Sequence, residues 1–313
     1  MFLNDFDKVL LIISTASRNY RKVYKKIKLK LNSYMSRDKL IVKFTKNLNS
    51  NREYTNEFIN KHTNALIIIC GGDGSINEVA ETIYFSKRKD IFFSFIPNGT
   101  GNDFSRYVYP KMNLKDIISN MGKIEKTNID LIKINDKICV NSMAFGFESI
   151  ILESSLRFKE KFPLLKKISY YMGIFMSLTK LKTIEYKYNI KYSDGTVKSG
   201  KIKSILNSLN NGKYYGGGFT PSPNANINDN IIDYNYIEYI NIFKLVSLIP
   251  KYKNGEHVNL DISNNKKIIS GRIFVEDEKE IVGNIDGNLY NFNKLEFKIL
   301  PQAINLIKFI GNN

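Results

Sequence analysis

Cysteine and histidine are scarce in this chain, which has two of each among its 313 residues. Cys70 and Cys139 both lie in apolar, strand-like runs. We therefore expect buried free thiols in a reducing compartment. His62 and His257 are so far apart in the sequence that they give no argument for a metal site or a catalytic triad.

Long hydrophobic runs are also missing. No stretch approaches the roughly 18 consecutive apolar residues of a membrane-spanning helix. The first 14 residues lack the basic start and small-residue cleavage site of a signal peptide. These absences predict a cytoplasmic protein.

Acidic residues are outnumbered, with 30 Asp and Glu against 47 Lys and Arg, and the net charge is +17. Such an excess is typical either of nucleic-acid binding or of contact with an anionic membrane surface and a polyphosphate. The sequence contains no nucleic-acid motif, and the lysines are scattered singly among apolar residues. We therefore favour the membrane surface and expect no nucleic-acid partner.

Two glycine-containing blocks each follow an apolar run. Gly71-Gly72-Asp73-Gly74-Ser75 comes after 65–70, and Pro97-Asn98-Gly99-Thr100-Gly101-Asn102-Asp103-Phe104 comes after 91–96. One helix and one strand separate the blocks, so both turns should face the same edge of one sheet. Glycines there let backbone N–H groups approach phosphate oxygens, which implies a nucleotide ligand. Ser75 and Glu78 form a capping-box pattern that predicts a helix from Ser75 to about Ser86.

The chain is long enough for two domains. Strands and helices alternate over residues 1–128, which predicts an α/β nucleotide-binding domain. Residues 129–300 read mainly as strands, including 258–262 and 295–300, with helical insertions at 158–182 and 242–250. Asn135-Asp136 and Asp194-Gly195 predict hairpin turns. We expect residues 301–313 to pack back on the first domain.

The two glycine blocks resemble the signature blocks of the diacylglycerol kinase catalytic-domain family, in the bacterial soluble lipid kinase branch related to sphingosine and ceramide kinases. The likeness continues over 141–148, 215–218, 223–233, 255–257 and Asp286-Gly287, and so spans nearly the whole chain. It implies an antiparallel β-sandwich as the second domain and an active site in the cleft between the domains. It also implies an ATP- and Mg²⁺-dependent kinase, at the inner face of the membrane, that phosphorylates a lipid hydroxyl, diacylglycerol above others.

The resemblance assigns most of the nucleotide pocket to the glycine blocks. Asp73 would approach the Mg²⁺ of MgATP, often through water, although a turn-forming Asp is the alternative. The other expected nucleotide-binding residues are Gly71, Gly72, Gly74, Ser75, Asn77, Gly99, Thr100, Asn102, Ser14 and Thr45. Asp103 could equally cap a helix, and Thr45 could be an ordinary strand-end residue.

The first loop departs from the family. Relatives carry Asn-Pro-x-Ser-Gly, whereas this chain has Ser14-Thr15-Ala16-Ser17-Arg18. Without the glycine the loop loses easy access to positive φ. Amides at a helix N-terminus can still bind anions, and Arg18 could add a charge-assisted contact.

The second metal prediction concerns residues 226–231. In similar kinases this loop holds a structural Mg²⁺, so Asp229 would supply a carboxylate, and Asn226 and Ile231 would supply main-chain oxygens. A plain Asx turn is the alternative. Asn230 stands where relatives have Gly.

Asp286-Gly287 matches the Asp-Gly-Glu of the family, in which the Asp is the inferred general base. A solvated hairpin turn is the alternative, and Asn288 replaces the family Glu. Two other functions therefore stay open: an NAD kinase-like enzyme, and a weak or inactive membrane-associated nucleotide-binding protein. The apolar residues of 164–178 could be a lid for acyl chains or ordinary core. The sequence leaves the oligomeric state open, a homodimer included.

Overall fold

The computed structural model of the chain describes residues 2–17, 19–275 and 280–310, without the side chains of residues 166 and 167. The chain divides into two compact units. The α/β unit comprises Met1–Ile129 with Gln302–Asn313, and the β-rich unit comprises Asp130–Pro301. Arg18 lies outside the described residues.

Strands and helices alternate in the α/β unit. In chain order they are β1 (Lys8–Ile13), α1 (Tyr20–Leu31), β2 (Leu40–Phe44), α2 (Ser50–Lys61), β3 (Ala65–Gly71), α3 (Asp73–Phe85), β4 (Ile91–Pro97), α4 (Asp103–Val108) and α5 (Leu114–Ser119). Strand β5 (Ile124–Ile134) then leads into the β-rich unit.

The β-rich unit consists of antiparallel strands with three helices among its described residues. In chain order they are β6 (Lys137–Cys139), β7 (Ser142–Gly146), α6 (Phe147–Lys161), α7 (Ser169–Ser177), β8 (Ile184–Tyr192), β9 (Val197–Asn210), β10 (Ile232–Glu238), α8 (Ile242–Asn254), β11 (Ser263–Phe274), β12 (Ile281–Ile285), β13 (Asn288–Phe292) and β14 (Lys294–Phe309). The predicted turns at Asn135-Asp136 and Asp194-Gly195 join β5 to β6 and β8 to β9.

The sheet of the α/β unit is parallel, in the order β2-β1-β3-β4. The end of β14 extends it, because Asn305 and Leu306 pair in parallel with Phe92 and Phe93 of β4. All seven residues of β3 are buried, as expected for a parallel strand with helices on both faces. The strand order reverses between β1 and β3, and ligands of such sheets bind beyond the carboxyl ends of the strands at that point.

Two apolar clusters stabilise the β-rich unit. One lies within the strands and includes Phe145, Tyr186, Tyr234 and Phe297. The other joins strand residues to α6, α7 and α8. The predicted fold class, an α/β domain followed by an antiparallel β-sandwich-like domain, is confirmed. No helix in the described part of the chain is long and apolar enough to cross a membrane.

Several predicted element boundaries are wrong. Helix α3 begins at Asp73 with Gly72 as its N-cap, so Ser75 does not cap it. The predicted strand 258–262 is a short 3-10 helix (Glu256–Asn259), because Gly255 at φ +79° turns the chain sharply after α8. Helix α8 continues through Pro250 to Asn254, and buried Tyr252 holds its last turn. The helical insertion begins at Phe147, and the last strand extends to Phe309.

Candidate functional site

The two glycine blocks touch at the carboxyl ends of β3 and β4. A Cβ atom added to Gly99 would lie 2.5 Å from the Cα atom of Gly72, closer than real Cβ atoms approach. A Cβ atom on Gly71 would lie 2.8 Å from that of Ser75, so the turn from β3 into α3 is equally tight. The main chain reinforces the contact, since Asn98 N–H donates to the carbonyl of Gly71 at 2.8 Å.

Asp73 links the first block to the helix that follows the second. Its carboxylate accepts hydrogen bonds from the N–H groups of Asp103 and Phe104, both at 3.2 Å, and so caps α4. Burial raises the pKa of Asp73, while these N–H groups oppose the shift. The carboxylate is therefore placed between the two blocks, where the sequence predicted a contact with MgATP.

The other predicted nucleotide-binding residues of the glycine blocks differ in their burial and in their hydrogen bonds. Gly74, Ser75 and Asn77 lie in the first turns of α3, and Asn77 is buried. Thr100 is exposed. Asn102 adopts a left-handed φ of +54°, and its side chain bonds both N–H and C=O of Gly99. Its amide therefore shapes the loop itself.

Ser14 and Thr45 directly follow β1 and β2, whose last paired residues are Ile13 and Phe44. The loop is fixed by Thr15, which sequence reasoning passed over. Its N–H donates to Thr45 Oγ1 at 3.0 Å, and its hydroxyl lies 3.1 Å from the Thr45 carbonyl. This threonine pair thus fixes the start of the loop after β1.

In the β-rich unit, Asp286 and Gly287 form the turn between β12 and β13, with φ of +46° and +93°. The hairpin alternative is thus right about the turn. It is wrong about solvation, because Asp286 is only 5% exposed.

Three successive backbone amides hold the Asp286 carboxylate. Oδ2 accepts from Val140 N–H at 2.7 Å, and Oδ1 accepts from Asn141 and Ser142 N–H, each at 3.0 Å. We call these three N–H groups the amide cradle. The Cys139 sulfur lies 3.8 Å from Oδ1. Burial and the charge of Asp286 raise the pKa of that thiol well above its usual range, so Cys139 stays protonated.

The loop 226–231 folds as the Asx-turn alternative predicts, since Asp229 Oδ1 accepts the Ile231 N–H at 3.1 Å. Asn230 has a φ of +64°, which explains how it replaces a glycine. Its N–H donates to Asp130 Oδ2 at 2.7 Å. Asp130 is fully buried, and no motif marked it.

The chemistry of this loop fits a hard cation. Burial raises the pKa of Asp229, and burial with the Asp229 charge raises that of Asp233 to about 6. A cation there would offset the repulsion between these carboxylates. Among the described residues, no three His, Cys, Asp or Glu side chains are already arranged as a metal site.

An apolar cavity of about 30 Å³ lies among the helices of the β-rich unit. It is lined by α6, α7, α8 and neighbouring loop residues such as Tyr215 and Phe219. Of the 164–178 stretch only part is core: Ile174 is buried, whereas Leu164 and Phe175 are 82% and 69% exposed. Phe243 of α8 is likewise 82% exposed.

Comparisons with known proteins agree with this architecture. Residues 8–134 match the family model of the diacylglycerol kinase catalytic domain, and residues 142–308 match that of the YegS C-terminal NAD kinase β-sandwich-like domain. A Mycobacterium tuberculosis (strain ATCC 25618 / H37Rv) protein named diacylglycerol kinase is 26% identical over 201 residues, covering 62% of each chain. This chain therefore spans about three fifths of that relative.

Two further similarities cover more of the molecule. A Staphylococcus aureus (strain JH9) protein assigned as a lipid kinase is 24% identical over 243 residues, which is 77% of this chain and 76% of the relative. A crystal structure of a protein from Bacillus anthracis str. Sterne, assigned as a diacylglycerol kinase, is 25% identical with a TM-score of 0.75. That match covers 97% of this chain and 98% of the other.

Proposed function

Since this chain belongs to the diacylglycerol kinase catalytic-domain family, we propose that it is an ATP- and Mg²⁺-dependent lipid kinase. It would transfer the γ-phosphoryl group to the hydroxyl of a membrane lipid, with diacylglycerol as the first candidate and phosphatidic acid as its product. The contact between Gly72 and Gly99, spanned by Asp73, is the observation that carries the proposal. Such close-packed glycine turns beyond parallel strands let amides reach phosphate oxygens.

The α/β unit would bind ATP through these amides and the N-terminus of α3. Asp73 would hold the Mg²⁺ that accompanies the phosphates, and the Asp229 loop would hold a structural one. Bound Mg²⁺ neutralises charge that develops on the β- and γ-phosphates. Asp73 also caps α4, so its side chain connects the first glycine block to the helix that follows the second block.

Asp286 of the β-rich unit would accept the proton of the lipid hydroxyl. The amide cradle donates three hydrogen bonds to its carboxylate and so fixes the orientation of the two oxygens. Phosphoryl transfer requires little basicity of this group, because the transition state is loose and the nucleophile keeps much of its bond to hydrogen. Orientation by three fixed donors then matters more than basicity.

The helices of the β-rich unit support an anionic membrane as the partner. Large apolar side chains are exposed on and beside α7 and α8, and we call them the exposed helical surface: Phe162, Leu164, Leu165, Ile168, Tyr171, Phe175, Met176, Tyr239, Phe243 and Val246. Exposed lysines flank them at positions 159, 161, 180, 182, 244, 251 and 253. Apolar residues surrounded by lysines suit the interface of an anionic bilayer.

A phosphorylation screen tests the function. The protein is incubated with γ-labelled ATP and Mg²⁺ together with mixed micelles of total lipid extract, with NAD⁺, or with no acceptor. We expect label in a lipid fraction whose mass increases by one phosphate, and none without Mg²⁺. Labelling of NAD⁺ would favour the NAD kinase-like alternative. Binding of ATP without transfer to any acceptor would favour the non-catalytic one.

A further inference from the structure

Asn211 follows directly on β9 and is fully buried. Its side-chain Nδ2 donates to two carbonyls, that of Val140 at 2.7 Å and that of Asp130 at 2.8 Å. Its main-chain N–H donates to the carbonyl of Asn141 at 2.8 Å. One residue thus contacts the segment of the amide cradle twice, from the side away from Asp286.

These contacts fall on the two peptide groups that hold Asp286 Oδ1. The carbonyl of Val140 and the N–H of Asn141 belong to one planar peptide, and the carbonyl of Asn141 and the N–H of Ser142 belong to the next. Asn211 bonds both carbonyls, whereas Asp286 bonds both N–H groups. Each peptide is therefore fixed at both ends and cannot rotate without losing a bond.

The arrangement also strengthens the donors. A hydrogen bond accepted by a peptide carbonyl polarises that peptide, so its N–H becomes a better donor to the carboxylate. The same side-chain amide also donates to the carbonyl of Asp130, which is fully buried. The N–H of Asp130 in turn donates to the carbonyl of Ile227 at 2.7 Å. The side chain of Asn211 is thus held from a second direction.

We propose that Asn211 is a positioning residue that orients the amide cradle and thereby sets the direction and ionisation of Asp286. The expected effect of Asn211 on catalysis rests on the proposed function. The expected effect of Asn211 on the amide cradle does not, because the hydrogen bonds are present whatever reaction the protein performs.

Two variants test the kinetic consequence. Asn211→Asp keeps the volume but replaces the donor by an acceptor, and Asn211→Ala removes the side chain. We expect kcat to fall by up to about 100-fold, as for a misplaced catalytic group, with the KM for ATP within about twofold of wild type. The acid limb of the kcat–pH profile should move to higher pH, because a loosened cradle favours the ionised carboxylate less.

Asn210→Ala is the matched control. Asn210 is equally buried, but its Nδ2 bonds Ser208, Ser222 and the carbonyl of Asp233. We expect a comparable loss of stability with kcat within a fewfold of wild type and an unmoved acid limb. Equal kinetic losses at both positions, or a wild-type pH profile in both Asn211 variants, would overturn the proposal.

Amide hydrogen exchange provides a readout that needs no activity. The amide of Asn141 should exchange at least about tenfold faster in Asn211→Asp than in Asn210→Ala, because its peptide carbonyl, that of Val140, loses the bond to the Asn211 side chain. Unchanged exchange would refute the positioning role even in an active kinase. Faster exchange in a protein that phosphorylates no lipid would support the geometry and refute the proposed function, so the two failures are distinguishable.

Discussion

Asp286→Asn tests the electrostatic and the catalytic role of the turn together. The substituted side chain keeps Oδ1 for Asn141 and Ser142 but presents an NH₂ group to the N–H of Val140, which then has lost its acceptor. A stranded buried donor costs about 1–3 kcal/mol. The hydrogen bonds from Asn141 and Ser142 remain but are weaker, because their acceptor is no longer charged. The variant also avoids the desolvation cost of a buried charge, which offsets part of this loss. We therefore expect the free energy of unfolding to fall by about 1–3 kcal/mol.

The control is the other Asp-Gly hairpin of the β-rich unit. Asp194 is exposed, and its carboxylate bonds only Thr196, two residues on, among the contacts described. Asp194→Asn should change the unfolding free energy by no more than about 0.5 kcal/mol.

Urea unfolding at pH 7 compares the two variants, and steady-state kinetics on the identified lipid completes the test. Asp286→Asn should lower kcat by about 10²–10⁴ with little change in ATP affinity, because the amide cannot take the proton. If Asp286→Asn loses no more unfolding free energy than Asp194→Asn, the charge of Asp286 does not stabilise the amide cradle. If it keeps full activity, the base is another group.

Four further predictions address the other parts of the molecule. Gly99→Ala should weaken ATP binding measured by calorimetry at least about tenfold, because its Cβ would force Gly72 away; wild-type affinity would contradict the glycine contact. Asp73→Asn should abolish MgATP-dependent turnover with an unchanged circular dichroism spectrum, and normal activity would remove Asp73 from the nucleotide site. Burial and the charge of Asp229 raise the pKa of Asp233 from 3.8 to about 6. The ionisation of Asp233 therefore lowers the free energy of unfolding progressively between about pH 4 and pH 6, by its full amount above pH 6 and not at all below pH 4. Asp233→Asn should therefore raise the unfolding free energy at pH 7.5, by at most about 3 kcal/mol, and leave it unchanged at pH 3.5; equal effects at both pH values would refute this. Vesicle binding should rise with anionic lipid, fall with salt above about 0.1 M, and weaken in Phe243→Asp; salt-independent binding to neutral vesicles would refute the electrostatic part.

The sequence predicts correctly that the two glycine blocks lie at one edge of the sheet, because the signals for the strands and turns are local in the sequence. An apolar run followed by glycines indicates a buried strand and a tight turn, and two such units in a row place both turns at one edge. The bond from Asp73 to α4 was not predictable in this way, since it joins residues 30 apart through main-chain N–H groups. The start of α3 was misjudged for a related reason. Ser75 and Glu78 have the right spacing for a capping box, but Glu78 instead bonds Asn51 and Arg52 of α2.

Asp286 illustrates the limit of sequence reasoning more sharply. Asp194-Gly195 and Asp286-Gly287 are the same dipeptide, and each lies in the connection of a β-hairpin, yet Asp194 is exposed and Asp286 is buried. The difference comes from the amide cradle, and backbone N–H groups have no signature in the sequence. Asn211 could not be found from the sequence for the same reason, because the three acceptors of its hydrogen bonds in this network are main-chain carbonyls of distant residues.

The departure at Asn288 bears on whether the chain is catalytic. Asn288 begins β13 and pairs with Ile285 across the turn through the main chain. The turn itself is closed by Asn284, whose Oδ1 accepts the N–H of Gly287 at 2.9 Å. The amide cradle comes from residues 140–142. None of these contacts uses the side chain of residue 288, so replacing the family Glu leaves the placement of Asp286 intact. We therefore expect that restoring the Glu by Asn288→Glu raises activity or leaves it unchanged.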